Sequence, residues 1–155
     1  MLIGLPASGK TTWAVDYIAQ NPELKFSVIS SDDIIEKNAL IQRLTYSSSH
    51  EKYIETAIEK MERCFINYLK NGVNIIHDQT NLTVKIRKKY LDKVKGYNKT
   101  AVIFMPTEKK RLRRYELRKT KTGKCVPEYI IKNMIDGLEL PSKKEGFDKI
   151  IKMQS

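Results

Sequence analysis

The chain has 155 residues, 41% of them hydrophobic and 30% charged, and a net charge of +11. That size predicts a single domain able to bury a core. The lack of any apolar run of spanning length argues against a membrane partner. Cys64 and Cys125 are the only cysteines, and His50 and His77 the only histidines, at no metal-ligand spacing. Free thiols in an intracellular, reducing compartment are expected, with nucleus and cytoplasm both open. The charge is concentrated: residues 85–125 hold eleven lysines and five arginines against three acids, so the rest of the chain is slightly acidic. This imbalance fits either a polyanionic partner or a set of solvated helix faces.

The first element is an apolar stub at residues 1–3. It is shorter than the roughly five residues usual in a central strand, so the sequence reads as a segment of a longer protein, as a domain with a clipped strand, or simply as a short strand. Residues 4–11, GLPASGKT, then fit the phosphate-loop pattern G-x-x-x-x-G-K-[ST] at every fixed position. Such a loop curls so that backbone N–H groups face a phosphate chain, with a helix N-terminus behind it. Gly4, Pro6, Ala7, Ser8, Gly9, Lys10, Thr11 and Thr12 are the candidate contacts to ATP. Lys10 is placed to reach the β- and γ-phosphates, and the Thr11 hydroxyl to hold Mg²⁺. The following helix buries Trp13, Ala14, Tyr17 and Ile18 and stops at Asn21-Pro22.

A second strand is expected at residues 26–30, closed by Ser30-Ser31-Asp32-Asp33. Asp32 fits the role of a general base for an attacking hydroxyl, and Asp33 that of a substrate contact. Helix capping by Ser31 or Asp32 is the competing reading. Residues 32–44 read as a helix, residues 45–50 as a polar loop, and residues 53–70 as the clearest helix, with Ile54, Ala57, Ile58, Met61, Phe65, Tyr68 and Leu69 on one face.

A third strand at residues 73–77 runs into Asp78-Gln79-Thr80-Asn81. An acid after an apolar strand resembles a Walker B carboxylate, so Asp78 joins Thr11 as a candidate magnesium ligand. Gln79, Thr80 and Asn81 are candidate substrate contacts, with capping of the next helix as an equal alternative for Thr80 and Asn81. His77 reads as a satisfied strand-end histidine. A basic helix at residues 83–95 and a fourth strand at 100–105 follow. Residues 108–120 form a very basic helix in which Arg114 and Arg118, four apart, share a face suited to polyphosphate. With residues 119–124 after it, the stretch 108–125 reads as a mobile basic lid. Pro127 opens a helix with Ile130, Ile131, Met134 and Ile135 inward, and residues 147–153 form the last strand. Alternation of this kind predicts an α/β fold, a parallel sheet with helices on both faces, and brings the three strand-end turns to one edge.

Taken together, GLPASGKTTW, Asn21-Pro22, Asp32-Asp33, Thr80-Asn81, the arginine lid, Cys125-Val126-Pro127 and Glu145-Gly146-Phe147 resemble the 5′-hydroxyl polynucleotide kinases. GLPASGKTTW, Asp78-Gln79-Thr80-Asn81 and Leu140-Pro141 also resemble the phosphate-loop domain of heterogeneous nuclear ribonucleoproteins of the U type. The kinase resemblance implies a P-loop kinase-like fold, ATP with Mg²⁺ on Lys10 and Thr11, Asp32 as base, Arg114 and Arg118 as lid arginines, and a DNA or RNA 5′ end as acceptor. Two positions depart from the kinase pattern. Ser31 stands where an arginine precedes the base, and Gln79 where an aspartate precedes the Thr-Asn pair. The base is therefore expected to be present and the acceptor site altered. A nucleotide-dependent RNA-binding module and a small-molecule kinase are the alternative functions.

Overall fold

The computed structural model describes residues 1–154. Five parallel strands carry it: β1 (Leu2–Ile3), β2 (Phe26–Ile29), β3 (Asn74–His77), β4 (Thr100–Phe104) and β5 (Lys149–Met153). They form two ladders, β2-β3 and β1-β4-β5, joined by the parallel bridge Leu2–Asp78 into the order β2-β3-β1-β4-β5. The Gly4 N–H donates to the Thr80 carbonyl at 3.0 Å beside that bridge, and the Asn81 side-chain amide donates to the Leu2 carbonyl at 2.7 Å. The central seam is thus completed by a side chain where the strand ladder stops.

Among the described residues, six α-helices accompany the strands: α1 (Lys10–Gln20), α2 (Ser31–Gln42), α3 (Tyr46–Lys70), α4 (Val84–Leu91), α5 (Glu108–Thr122) and α6 (Glu128–Asp136). Side chains alternate across a strand, and the core divides accordingly. Leu2, Val102 and Phe104 meet Ala14 of α1 on one face, with Trp13 and Tyr17 against them. Ile3, Ala101 and Ile103 meet Leu91 and Phe147 on the other. Ile29, Met61, Phe65 and Tyr90 continue that second layer under α3 and α4. The α/β fold with a parallel sheet flanked by helices is as the alternation predicts. No helix among the described residues is long and apolar enough to cross a membrane.

The stretch at residues 45–50 is the main departure from the sequence reading. It is the first turn of α3, not a polar loop. The Thr45 hydroxyl accepts from the Ser48 N–H at 3.2 Å and caps the helix. Tyr46 is buried, and the fully buried Ser49 donates its hydroxyl to the Ile35 carbonyl of α2 at 3.1 Å. Serines are weak helix formers, so helix is imposed here by packing against α2. The basic stretch after Gly123 also differs from a free lid. Lys124 is buried, and its loop is held by Tyr115, whose hydroxyl accepts from the Val126 N–H at 2.9 Å and donates to the Val126 carbonyl at 2.7 Å. In α6, Ile131 faces inward as expected, whereas Ile135 is exposed.

One buried ion pair ties the tail to this frame. Arg87, with no exposed surface, sends Nε and Nη2 to the two oxygens of Glu145 at 2.6 and 3.0 Å. Its Nη1 donates to the carbonyls of Asn81, Leu82 and Glu139. All three guanidinium nitrogens donate, in a fork geometry that lysine cannot reproduce.

Candidate active site

The phosphate loop follows β1 and wraps the start of α1. Ala7 (φ 63°) and Gly9 (φ 101°) both lie in the left-handed region, and Gly9 is the N-cap of α1 with no side-chain cap on the helix. Strained backbone of this sort is held at sites where it positions a function. A Cβ on Gly9 would stand 3.2 Å from Arg114 Nη1, so glycine here also makes room for the arginine. The Lys10 ammonium folds over the loop and donates to the Gly4 and Leu5 carbonyls at 2.8 and 2.9 Å. Burial pulls its pKa down to about 8, against the opposing attraction of Asp78.

Thr11 and Asp78 come together as the sequence reading expected. The Thr11 hydroxyl donates to Asp78 Oδ2 at 2.7 Å across the β1–β3 seam. A hydroxyl beside a carboxylate at the foot of the loop is the hard-oxygen donor pair that magnesium prefers. No group of three or more His, Cys, Asp or Glu side chains suited to a metal occurs among the described residues. A magnesium ion here would therefore take its remaining ligands from phosphate and water.

The second half of the site lies at the end of β2. Ser30, not Ser31, caps α2, its hydroxyl accepting from the Asp33 N–H at 3.2 Å, which leaves the Asp32 carboxylate available for other work. Asp32 Oδ1 accepts from the Tyr46 hydroxyl at 2.8 Å, and Oδ2 accepts from Lys124 Nζ at 2.6 Å with Arg118 Nη2 at 3.5 Å. Burial pushes the Asp32 carboxyl up, but Lys124, the Tyr46 hydroxyl and Arg118 together outweigh it and hold the group below its ordinary value. Asp33 is shifted the other way, by partial burial and then by the Asp78 and Glu36 carboxylates. The two adjacent carboxyls are thus driven in opposite directions.

Helix α5 spans both halves. Arg114 Nη1 donates to the Ser8 carbonyl of the phosphate loop at 3.2 Å, while Arg118 one turn later lies against Asp32. Of the other arginines, Arg111 is buried and Arg113 exposed.

The two positions that depart from the kinase pattern are partners. Gln79 Nε2 donates to the Ser31 hydroxyl at 2.9 Å, and also to Met61 Sδ at 3.3 Å. They seal the floor between β2 and β3 with a neutral pair. Thr80 lends its carbonyl to Gly4, and Asn81 (φ 48°) is buried with its amide on Leu2 and His77, so the structure does not bring the Asn81 side chain into the crevice with Asp32. His77 accepts at Nδ1 from Asn81, which leaves the proton on Nε2. Burial keeps it neutral, with a pKa of about 3. Tyr46 and Glu36 escaped the sequence reading, and Lys124, read only as part of the basic lid, was not expected beside Asp32. Tyr46 was hidden in a stretch that reads as loop, Glu36 in an ordinary helix face, and Lys124 among many lysines, its one local signal being the preceding Gly123.

Residues 1–141 match the family model AAA_33, described as an AAA domain. The chain belongs to the AAA domain family. This AAA domain is similar to heterogeneous nuclear ribonucleoprotein U-like protein 2 of Mus musculus, at 28% identity over 97% of the chain but only 20% of that relative's length. It thus spans about a fifth of the curated relatives that it matches. Its fold is similar to a structure from the PezAT chromosomal toxin-antitoxin system of Streptococcus pneumoniae, with TM-score 0.71 and 20% identity, covering 99% of this chain and 65% of that one. It is equally similar to a candidate kinase from Chloroflexus aurantiacus j-10-fl, with TM-score 0.71 and 14% identity over 99% of this chain and 85% of that one. These structural likenesses carry the phosphate-loop, kinase-like fold and no particular substrate.

Proposed function

We propose that this AAA domain transfers the γ-phosphoryl group of ATP to the 5′-hydroxyl of a DNA or RNA strand. The observation that carries the reading is the reach of one helix face. Arg114 touches the phosphate loop and Arg118 touches Asp32, so donor and acceptor elements converge under two guanidiniums. In the transfer, the acceptor hydroxyl gives its proton to Asp32. Its oxygen bonds to the γ-phosphorus as the bond to the β–γ bridging oxygen breaks, and the electron pair leaves on ADP. The curled loop and Lys10 hold the phosphates, and Arg114 and Arg118 stabilise charge on the moving group. Thr11 and Asp78 would hold magnesium, which supplies charge neutralisation at the phosphates when bound. Arg87, Lys89, Arg118 and Lys124 of the basic stretch 85–125 are paired with acids from outside it, and the exposed cations that remain, Lys109, Lys110 and Lys119 among them, support an acceptor with a phosphate backbone.

The test is incubation with γ-labelled ATP, Mg²⁺ and 5′-hydroxyl oligonucleotides of DNA and RNA, with Lys10→Ala as control. Transfer that disappears in the control supports the reading, and the DNA/RNA ratio names the substrate. ATP binding without transfer to either supports a second reading, a nucleotide-dependent RNA-binding module. The neutral Ser31–Gln79 pair and the likeness to a ribonucleoprotein favour that alternative. Asp32→Asn separates the two: a kinase loses turnover and keeps ATP binding, whereas a binding module keeps its RNA affinity unchanged.

A further inference from the structure

Lys124 occupies the place where the kinase reading needs a free base. Its side chain is 4% exposed, with Nζ 2.6 Å from Asp32 Oδ2 and 2.8 Å from Glu36 Oε1, and 4.3 Å above the Tyr46 ring. With Tyr46 on Oδ1 and Lys124 on Oδ2, both oxygens of Asp32 are engaged. A carboxylate paired in this way is a weak proton acceptor, because taking a proton would forfeit the ion pair. The lysine must therefore leave before Asp32 can work as a base.

The local backbone is built for that movement. Gly123 ends α5 in the left-handed conformation (φ 67°), which a residue with a Cβ adopts only under strain, and has open space around it. On the far side, both backbone groups of Val126 are anchored to Tyr115. To withdraw Lys124, the short span between these points has to swing, giving up the Lys124 N–H bond to the Thr122 hydroxyl at 3.3 Å and the Cys125 Sγ contact with the Tyr115 hydroxyl at 3.1 Å.

A group that draws an ammonium off two carboxylates has to be an anion. A 5′-terminal nucleotide in a strand offers one, the phosphodiester on its own 3′ oxygen, while a free nucleoside offers none. We infer that Lys124 is a specificity-determining gate: it blocks Asp32 in the resting state and is released to the first phosphate of the acceptor, so that hydroxyls without a neighbouring phosphate are refused. This deepens the kinase reading and rests on it. Asp32, Tyr46 and Glu36 hold the gate shut, and the acceptor that opens it is also the one that is phosphorylated.

The test compares kcat/KM for a nucleoside and for the matching 5′-hydroxyl dinucleotide in the wild type, Lys124→Gln and Lys124→Arg. The preference for the dinucleotide is expected to fall by about tenfold or more in Lys124→Gln, with the nucleoside gaining in absolute terms, and to be retained in Lys124→Arg. A preference that is unchanged in Lys124→Gln, or two rates that fall in parallel, overturns the gate. Hydrogen exchange across residues 122–127 gives a readout that does not depend on transfer. Exchange should rise when the dinucleotide, but not the nucleoside, is added to the wild type, and should be high in Lys124→Gln without ligand. If no acceptor is phosphorylated, the kinase reading fails and the acceptor specificity fails with it, and the exchange then decides only whether a phosphodiester releases Lys124 from Asp32 and Glu36. Equal exchange with and without the dinucleotide refutes that release.

Discussion

The phosphate loop and the Asp32 pocket face each other across the sheet edge, yet they are assembled in opposite ways. The loop is made by eight consecutive residues whose conformation is set mainly by three positive-φ positions, Gly4, Ala7 and Gly9, and the start of α1, with Thr80 and Arg114 adding one contact each. The Asp32 pocket gathers Asp32 and Glu36 from α2, Tyr46 from α3, Arg118 from α5 and Lys124 from the loop beyond it. A site formed by contiguous residues survives most distant changes. A site formed by four separate segments depends on the packing of each, and each gives a separate point at which it can be regulated.

The largest expected effect breaks the local half. Lys10→Ala should lower transfer by about 10³-fold, read with γ-labelled ATP, because a donor aimed at the transferred group is worth several kcal/mol. Asp32→Asn should break the assembled half alone, with kcat down by about 10²-fold or more while ATP affinity stays within about twofold. Equal loss of ATP affinity would mean that the halves are not separable.

A pH titration sharpens the contrast. Lys10 has a pKa of about 8 in the free protein, and phosphate favours its charged form. ATP affinity should accordingly hold below that pH and fall by about tenfold per unit above it, measured by calorimetry, with Lys10→Ala showing a flat profile. Asp32 is held below its ordinary value, so its ionised form and the Lys124 pair persist at neutral pH and are lost only as pH drops through the lowered value. Tyr46→Phe removes one stabiliser of the carboxylate. It should move the acid limb of the kcat profile to higher pH and leave the ATP profile in place. The smallest effect belongs to Thr45→Ala. Loss of the α3 cap should cost about 1 kcal/mol in urea unfolding and loosen Tyr46, lowering kcat mildly with no change in ATP affinity.

The same division governs what the sequence discloses. GLPASGKT is legible because spacing alone defines the loop, and the alternation of strands and helices is legible because Leu2 and Ile3, or Val102 and Ile103, face opposite layers. The Thr11–Asp78 contact follows from topology once both lie at strand ends. Tyr46 was not legible, since the serines after it are weak helix formers and the helix start there rests on the Thr45 cap together with the Ser49 contact to α2. Lys124 was not legible because no periodicity distinguishes it from the exposed lysines nearby. The Ser31 and Gln79 positions stood out one by one in the sequence, but only the fold shows that they bond to each other.

The ion pairs around Asp32 also bear on how this protein senses salt. Exposed lysines such as Lys109, Lys110 and Lys119 carry diffuse counterions, and each phosphate they meet releases roughly 0.7–0.9 ion to the solution. Arg118 and Lys124 are neutralised by the protein's own carboxylates, so a phosphate that takes them over frees Asp32 or Glu36 and almost no salt. The pocket behaves as an internal ion exchanger. If the domain takes a strand as proposed, its capture along α5 should depend on ionic strength, while its seating beside Asp32 should be nearly blind to it.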